Sequence, residues 1–554
     1  MQLVECVPNF SEGKDMKILD AISASIRAVK GVTLLDVDPG ETTNRTVFTM
    51  VGEPDNVVEA AFQAIKKASQ IIDMTKHKGA HARMGATDVC PFVPVANMTM
   101  DDCVKLAHKL GKRVGEELNI PIYLYEYAAT KPEWRNLAEV RKGEYEALPQ
   151  KMEDPNWKPD YGPQKYNAKS GATAISAREF LIAYNINLNT RDKKKAHDIA
   201  LDIRERGRFA RDENKKLIKD ENGKKVKKPG LFKDCKAVGW FIDDFNQAQI
   251  SINLTNYNVT PAHIVLDKVR ELALKRGLQV TGSELVGLLP KAAILESGKY
   301  YLNQMGESAG VPERMIIETA VQSMGLKDVA EFNIDKKVIE YAISKEDDLV
   351  NMTLTGFCDE LSTDSPAPGG GSVAALCSAM SGALSAMVSN LTFSKKGYEK
   401  VWEETKELSE IGQSIKERSL IAIDTDTQAF YDMMDAARLP KKTDEAKKIR
   451  ANAIQEATKK AILVPLETLE ISLQAAELAA KVAKIGNTNA LSDAGVAAIT
   501  ANAAAKSAYL NVKINMGGID DETFKFDILT KSDEILEKTN NIALQVEKEI
   551  QGKI

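Results

Sequence analysis

The chain changes rhythm twice. In its first third, alternating or β-branched runs take turns with apolar residues at helical spacing. Gln2–Pro8 (QLVECVP) alternates as a strand should and leads into the turn-rich Asn9–Gly13. Lys17–Val29 predicts a helix, Val32–Val37 a β-branched strand, Asp38–Arg45 a polar loop, and Thr46–Val51 the next strand. An amphipathic helix follows, with Val57, Val58, Ala61, Phe62, Ile65, Ala68 and Ile72 on one side. Thr87–Val95 predicts a strand, Thr99 with Asp102 a capped helix start, and Ile120–Tyr127 a closing strand.

The second third repeats the pattern. Phe180–Leu188 reads as strand, His197–Arg206 as helix, Ala237–Ile242 and Gln249–Leu254 as strands, Ala262–Arg276 as helix and Gln279–Leu289 as strand. Both thirds thus predict β-α-β-β-α-β, the split βαβ order of ferredoxin-like sandwiches. They share a pattern without evident identity. A charged insert, Gly207–Lys233, reads as a solvated loop. After about Tyr341 strand patterns vanish, and charged amphipathic segments alternate with alanine-rich ones. The predicted fold is α/β plus all-α. Two ferredoxin-like α/β sandwich subdomains (1–180 and 181–343) precede a linker (344–350) and an antiparallel helical-bundle domain (351–554).

Composition adds limits. A chain of 554 residues exceeds one core and predicts two to four domains. Its 44% apolar and 28% charged residues are those of soluble globular protein. A net charge of −5 supplies no basic field for nucleic acid. The start, MQLVEC, has neither a basic nor an apolar leader region, so no secretory signal is expected. Cys6, Cys90, Cys103, Cys235, Cys358 and Cys377 lack CxxC spacing and read as reduced thiols of a cytoplasmic protein. Ser372–Ser394 carries no charge and is long enough to span a bilayer. Its alanine, serine and glycine content instead predicts a helix packed closely among other helices, with no membrane span.

Chemistry concentrates in "HKGAHARMGATDVCPF" (77–92), which holds two of the five histidines. His-x-x-x-His aligns two metal ligands only on a helix, and Gly79 and Gly85 argue against one here. The glutamate of HExxH is absent and no third ligand stands nearby, so no metal is expected. Histidine titrates near neutrality, and a glycine-flanked loop with Arg83 and Asp88 close by could present a general base. On the residues alone, that reading and an ordinary pair of loop histidines both stand.

Longer blocks carry a resemblance. "VECVPNFSEG", "LLDVD", "TNRTV", "HKGAHARMGATDVCPFVPV", "IYLYEYA", "GEYEALPQKM" and "GSELVGLLP" resemble the glutamate formimidoyltransferases. "APGGGSVAA", "DTDTQAF" and "NTNALSDAGVAA" resemble the formimidoyltetrahydrofolate cyclodeaminases. Both occur in this order in the bifunctional formimidoyltransferase-cyclodeaminase family of histidine degradation. The resemblance covers nearly the whole chain, with the insert 207–233 as its main departure.

The resemblance implies transfer of a formimino group from N-formimidoyl-L-glutamate to N5 of tetrahydrofolate. Ring closure to 5,10-methenyltetrahydrofolate with loss of ammonia then follows. It places the transferase's catalytic histidine at His81, and leaves His77 without an assigned role. Asp38 is the candidate for orienting that imidazole, beside the plainer reading of a loop-capping Asp. The folate-contacting loop falls on Gly162, Pro163, Gln164, Lys165, Tyr166, Asn167, Ala168, Lys169, Ser170 and Gly171. There Tyr166 could stack, and Lys165 and Lys169 could meet carboxylates.

In the second half the resemblance places the acid/base residue at Asp426. On a helix Asp426 shares a face with Ala422, Ile423, Phe430 and Met433, whereas Asp424 shares one with Thr427 and Gln428. A carboxyl on an apolar stripe has a raised pKa, as an acid that protonates departing ammonia requires. Gly369, Gly370 and Gly371 open the uncharged helix and either expose backbone N–H groups to a ligand or let helices pack closely. Asp493 is assigned to the site lining on the resemblance alone. Tetrahydrofolate, as its polyglutamate, is expected as co-substrate, and a dimer-based homo-oligomer is expected. The rival readings are a single-activity folate cyclohydrolase or cyclodeaminase with a degenerate transferase half, and a non-enzymatic oligomeric scaffold.

Overall fold

The computed structural model describes residues 2–40, 44–79, 82–213, 216–242, 246–328, 331–343 and 348–554. Two compact units emerge: residues 1–293 with 324–343, and residues 294–323 with 344–554. The first is mixed α/β and the second is helical.

The first sheet of the α/β unit is built from β1 (Leu3–Cys6), β2 (Asn9–Phe10), β3 (Val32–Gly40), β4 (Arg45–Gly52), β5 (Thr87–Ala96), β6 (Ile122–Glu126) and β7 (Thr173–Ala177). β1 and β2 both pair with β4 and β5, so they act as one strand interrupted at Val7 and Pro8. The order is β3, β4, β1/β2, β5, β7, β6, with the last two added in parallel. The expected closing strand β6 therefore does not lie beside β5. β7, absent from the sequence reading, comes between them.

Helices α1 (Met16–Arg27), α2 (Pro54–Ile71) and α3 (Met100–Leu118) bury their apolar faces with this sheet. The capping box at Thr99 and Asp102 forms as expected. All four residues of β1 are buried, because the sheet is covered on its other side too. The segment between β6 and β7 supplies cover: Tyr123 meets Trp134 edge-on at 5.2 Å, and Trp134 stacks on Trp157 at 6.2 Å.

The charged insert holds a small hairpin of β9 (Arg208–Phe209) and β10 (Lys227–Lys228) after β8 (Ile182–Leu188). β8 joins β11 (Cys235–Ile242), β12 (Gln247–Leu254) and β13 (Val280–Val286) in the order β11, β12, β8, β13, antiparallel throughout. Helix α4 (Lys193–Ile203) follows β8 and α5 (Ala262–Leu274) follows β12. The first sheet repeats this order in β3, β4, β1/β2 and β5, so two sequences without evident identity adopt one strand order.

In the helical unit, α6 (Gly370–Asn390), α7 (Trp402–Arg438), α8 (Asp444–Ile485), α9 (Leu491–Asn515) and α10 (Glu522–Gln551) run antiparallel to their neighbours. Asp432 with Lys460 and Arg418 with Gln474 fix α7 against α8. Tyr509 with Asp533 and Asn502 with Asn540 fix α9 against α10. Helix α6 is long and apolar enough to cross a membrane, yet 61% of its apolar window is buried inside this unit. Close packing explains it. A Cβ on Gly382 would lie 2.8 Å from the Gly412 carbonyl oxygen, and one on Gly412 would lie 2.7 Å from that of Gly382. Small residues let these backbones approach.

Candidate active sites

The 77–92 stretch is irregular up to β5, so its histidines do not share a helical face. His81 lies outside the described residues. His77 is half-buried, with Nε2 2.8 Å from the Asn44 carbonyl oxygen and Nδ1 3.3 Å from Arg83 Nε. Arg83 can only donate and the carbonyl can only accept, so His77 carries its proton on Nε2 with both nitrogens engaged. That makes His77 a positioning residue between Asn44 and Arg83.

Arg83 is itself buried and saturated. It donates to Glu144 at 2.9 Å and clasps both oxygens of Glu146 at 2.9 and 2.7 Å. These carboxylates hold its guanidinium above its usual pKa. Lys78, Gly79, Arg83, Gly143, Glu144 and Glu146 line an open cleft of about 390 Å³, within the ~300–1,000 Å³ typical of small-molecule sites. Glu144 takes φ 57°, a left-handed conformation in a non-glycine residue, as it turns toward Arg83.

Asp88 is fully buried. Its Oδ1 accepts the Met84 N–H at 3.0 Å, and its Oδ2 meets Arg141, with Arg45 at 3.8 Å. Farther along, Glu5 is 5% exposed, and burial pushes its carboxyl up to about 7 against the opposing charge of Arg178. Asp38 is not in a loop. It sits within β3, paired with Val47, because β3 continues to Gly40. It is exposed.

The 162–171 loop docks directly against the histidine stretch. Gly85 bridges Gly171, and Ala86 N–H donates to the Ser170 carbonyl. A Cβ on Gly171 would lie 2.1 Å from the Met84 oxygen, and its φ of 67° also requires glycine. Several side chains differ from the sequence expectation. The Tyr166 hydroxyl donates to the Tyr145 hydroxyl at 2.8 Å, and Lys169 Nζ donates to the Gln70 carbonyl at 2.6 Å. Lys169 thus anchors the loop to α2 rather than standing open, and Tyr166 is tied to Tyr145.

In the helical unit the structure brings Asp426 onto the glycine triplet. A Cβ on Gly371 would fall 2.1 Å from Asp426 Oδ1, so only glycine fits this contact. Ser372 Oγ donates to Asp426 Oδ2 at 3.2 Å, and the Ser372 backbone N–H also reaches the carboxylate. Gly369 supplies no side-chain cap, so Asp426 caps α6 from another helix. Burial pushes the Asp426 carboxyl up, while these two donors partly oppose it. Asp424 faces elsewhere: its Oδ1 accepts the Leu349 N–H at 2.7 Å, pinning the turn Leu349–Asn351.

Asp493 is not brought to this centre within one chain. Ser381 in mid-α6 donates to Ala497, whereas Gly370 lies near Asn511, so α9 runs antiparallel to α6. Eighteen residues of α9 separate Asn511 from Asp493, about 27 Å at the helical rise. Asp493 belongs to the far end, near Asn487, which accepts from Lys395 at 2.7 Å.

The sequence reading assigned no role to Arg45, Arg141, Glu144, Glu146 or Ser372. Glu144 and Glu146 lay within a recognised block, but their joint target, Arg83, is 61 or more residues away. No local periodicity reports such a pairing. Among the described residues, no three His, Cys, Asp or Glu side chains gather as a metal site.

Comparison with known proteins decides the family. Residues 3–178 match the formiminotransferase domain, N-terminal subdomain; 183–344 match the formiminotransferase domain; 353–534 match formiminotransferase-cyclodeaminase. The chain is 41% identical to formimidoyltransferase-cyclodeaminase of Mus musculus over 527 residues, covering 95% of this chain and 94% of the relative. It belongs to the formimidoyltransferase-cyclodeaminase family. Each half of the family is also found separately. Glutamate formimidoyltransferase of Streptococcus pyogenes serotype M1 is 42% identical over 54% of this chain and 93% of its own length. Methenyltetrahydrofolate cyclohydrolase of Methylorubrum extorquens is 39% identical over 37% of this chain and 98% of its own. The polar centre of the α/β unit lies within the match over residues 3–178, and Asp426 within that over 353–534.

Proposed function

We propose that this bifunctional enzyme moves the formimino group of N-formimidoyl-L-glutamate to N5 of tetrahydrofolate, then closes the product to 5,10-methenyltetrahydrofolate and ammonia. The carrying observation is the presence of both halves over 95% of one chain. In the first reaction N5 attacks the amidine carbon, a tetrahedral intermediate forms, and glutamate leaves as its amine. His81 takes the proton from the attacking nitrogen and returns one to the departing nitrogen, as one group near neutrality can. Asp38 orients that imidazole, and the 162–171 loop holds the folate.

In the second reaction N10 attacks the formimino carbon, and nitrogen leaves as ammonia only when protonated. Asp426 donates that proton. Its burial keeps the carboxyl protonated to higher pH than an exposed aspartate. The Gly369–Gly371 opening of α6 lines the site. Asp493, given its place on α9, lines it only from another copy.

We assign the transferase to residues 1–343, as two ferredoxin-like subdomains, and the cyclodeaminase to a helical bundle over 351–554. The strand order shared by the two sheets supports the first assignment, and the antiparallel helices support the second. The folate enters as its polyglutamate, without a metal, in the cytoplasm. A homo-oligomer accounts for the half-open stripe Val373, Leu376, Met380, Leu384, Met387 and Leu391 on uncharged α6.

Purified protein with tetrahydrofolate and formimidoyl-glutamate should release ammonia as methenyltetrahydrofolate absorbance rises. No methenyl product from the wild type would overturn the bifunctional reading. The identity to a cyclohydrolase favours one further activity of the second half, hydrolysis of the methenyl bridge, which the same assay reads as absorbance that later falls.

A further inference from the structure

Arg83 lines the cleft of the α/β unit and Arg141 lies two residues before its wall residue Gly143, and the two arginines differ. Arg83 is saturated by Glu144 and Glu146. Arg141 meets only Asp88, and its Nε is buried with no hydrogen-bond partner among the described residues. A buried guanidinium donor left unpaired is costly, unless a ligand satisfies it. Asp88 cannot neutralise the surroundings alone, because Arg45 approaches the same Oδ2 at 3.8 Å. Tyr125 is near enough to Arg141, Asp88 and Arg178 to feel their charges, so the surroundings of Arg141 are charged rather than apolar. Oδ1 of Asp88 is held by the Met84 N–H, which orients the oxygen that meets Arg141.

We infer that Arg141, oriented by Asp88, binds a carboxylate of the glutamyl moiety of formimidoyl-glutamate. This rests on the proposed transferase reaction. Two carboxylate sources exist, the glutamyl substrate and the glutamate tail of the folate, and reach separates them. Asp88 is anchored at Met84, three residues from His81, a span of at most ~11 Å of extended chain. The carboxylates of formimidoyl-glutamate lie only a few bonds from the reacting amidine carbon. Those of the folate tail lie beyond a whole aminobenzoyl ring from N5. Arg141 follows the short helix Leu137–Val140 and stands two residues before Gly143 of the cleft wall, and its partner Asp88 holds the N–H of Met84, next to the cleft-lining Arg83. Planar, fixed donors of this kind suit a carboxylate better than a lysine would.

Steady-state kinetics of the full chain test the assignment. Arg141→Gln should raise KM for formimidoyl-glutamate tenfold or more and weaken product inhibition by L-glutamate by the same factor. It should leave kcat and KM for tetrahydrofolate within twofold, since a contact made equally in ground and transition states moves KM alone. Arg141→Lys should show a smaller rise, which keeps the test usable if the glutamine variant fails to fold. Closure of added 5-formimidoyltetrahydrofolate should be unchanged in both. Amidating the bound carboxylate of the substrate should cost the wild type a factor that Arg141→Gln no longer shows. An unchanged KM for formimidoyl-glutamate overturns the inference, as does a loss confined to tetrahydrofolate, which would assign Arg141 to the folate tail. A wild type without formimino transfer would instead overturn the transferase reading itself.

Discussion

The two polar centres handle charge in opposite ways. In the α/β unit, buried charge is met by opposite charge: Asp88 by Arg141 and Arg45, Arg83 by Glu144 and Glu146. In the helical unit, Asp426 meets a helix N-terminus and a hydroxyl, with no cation against it among the described residues. The first arrangement fixes ionised groups in place, as recognition of a charged substrate needs. The second leaves a carboxyl balanced between burial, which favours its proton, and donors, which favour its loss. A group that must give up a proton gains from that balance, and a group that must hold a carboxylate does not.

The largest test of this contrast separates the centres. His81→Ala should abolish formimino transfer and spare closure, and Asp426→Asn should do the reverse. Each loss should be about 10²–10⁴-fold, the usual contribution of a positioned acid or base. Separate assays with formimidoyl-glutamate and with 5-formimidoyltetrahydrofolate read the two. A loss shared equally between activities would merge what are here two centres.

Gly371→Ala should follow, with closure down roughly tenfold or more and the fold destabilised by about 1–3 kcal/mol from overpacking. Its new methyl group would occupy the position of the Asp426 carboxylate. Denaturant melts with closure kinetics check both parts, and unchanged closure would show that Asp426 can move without loss.

Glu5 tests burial without catalysis. Its carboxyl rises from 4.5 to about 7 on folding. Between those values the folded state holds a proton that the unfolded state has released, so stability falls as pH rises through the window. Glu5→Gln removes that dependence and should gain up to roughly 3 kcal/mol on the wild type at pH 8 compared with pH 4. Melts of the two proteins across this range measure it, and parallel curves would contradict it.

The smallest effect is expected at Ser372→Ala. Losing the hydroxyl removes a donor to ionised Asp426, so the pKa rises further and the alkaline fall of closure kcat moves to higher pH. A shift to lower pH would mean that Ser372 favours the protonated form.

Much of the architecture was legible in the residues. The helical and alternating periods of 16–27, 54–71 and 182–188 located their elements, because one face of each is apolar and the other polar. β7 was missed: Thr-Ala-Ile-Ser-Ala is short, built of small residues and buried throughout, so no alternation marks it. Asp38, Pro39 and Gly40 suggest a loop by residue type, and only their pairing with Val47, Thr46 and Arg45 of β4 carries the strand on to Gly40. At the sites, the blocks of sequence located the 77–92 stretch, the folate loop and Asp426. They did not show that Lys169 is an anchor, that Arg83 is saturated while Arg141 is not, or that Asp493 lies at the other end of α9.

By itself, then, the sequence determined which segments are helices and strands, where α/β gives way to helix, and which short blocks carry chemistry. Those are local properties, set by side-chain period, glycine placement and residue type. The tertiary structure decided which carboxylate faces which arginine, and which helix end receives Asp426. Such pairings join residues 53 to 63 positions apart, as in Asp88 with Arg141, Asp426 with Ser372 and Arg83 with Glu146. Only packing brings them together, because burial makes each partner necessary and no local pattern encodes the distance.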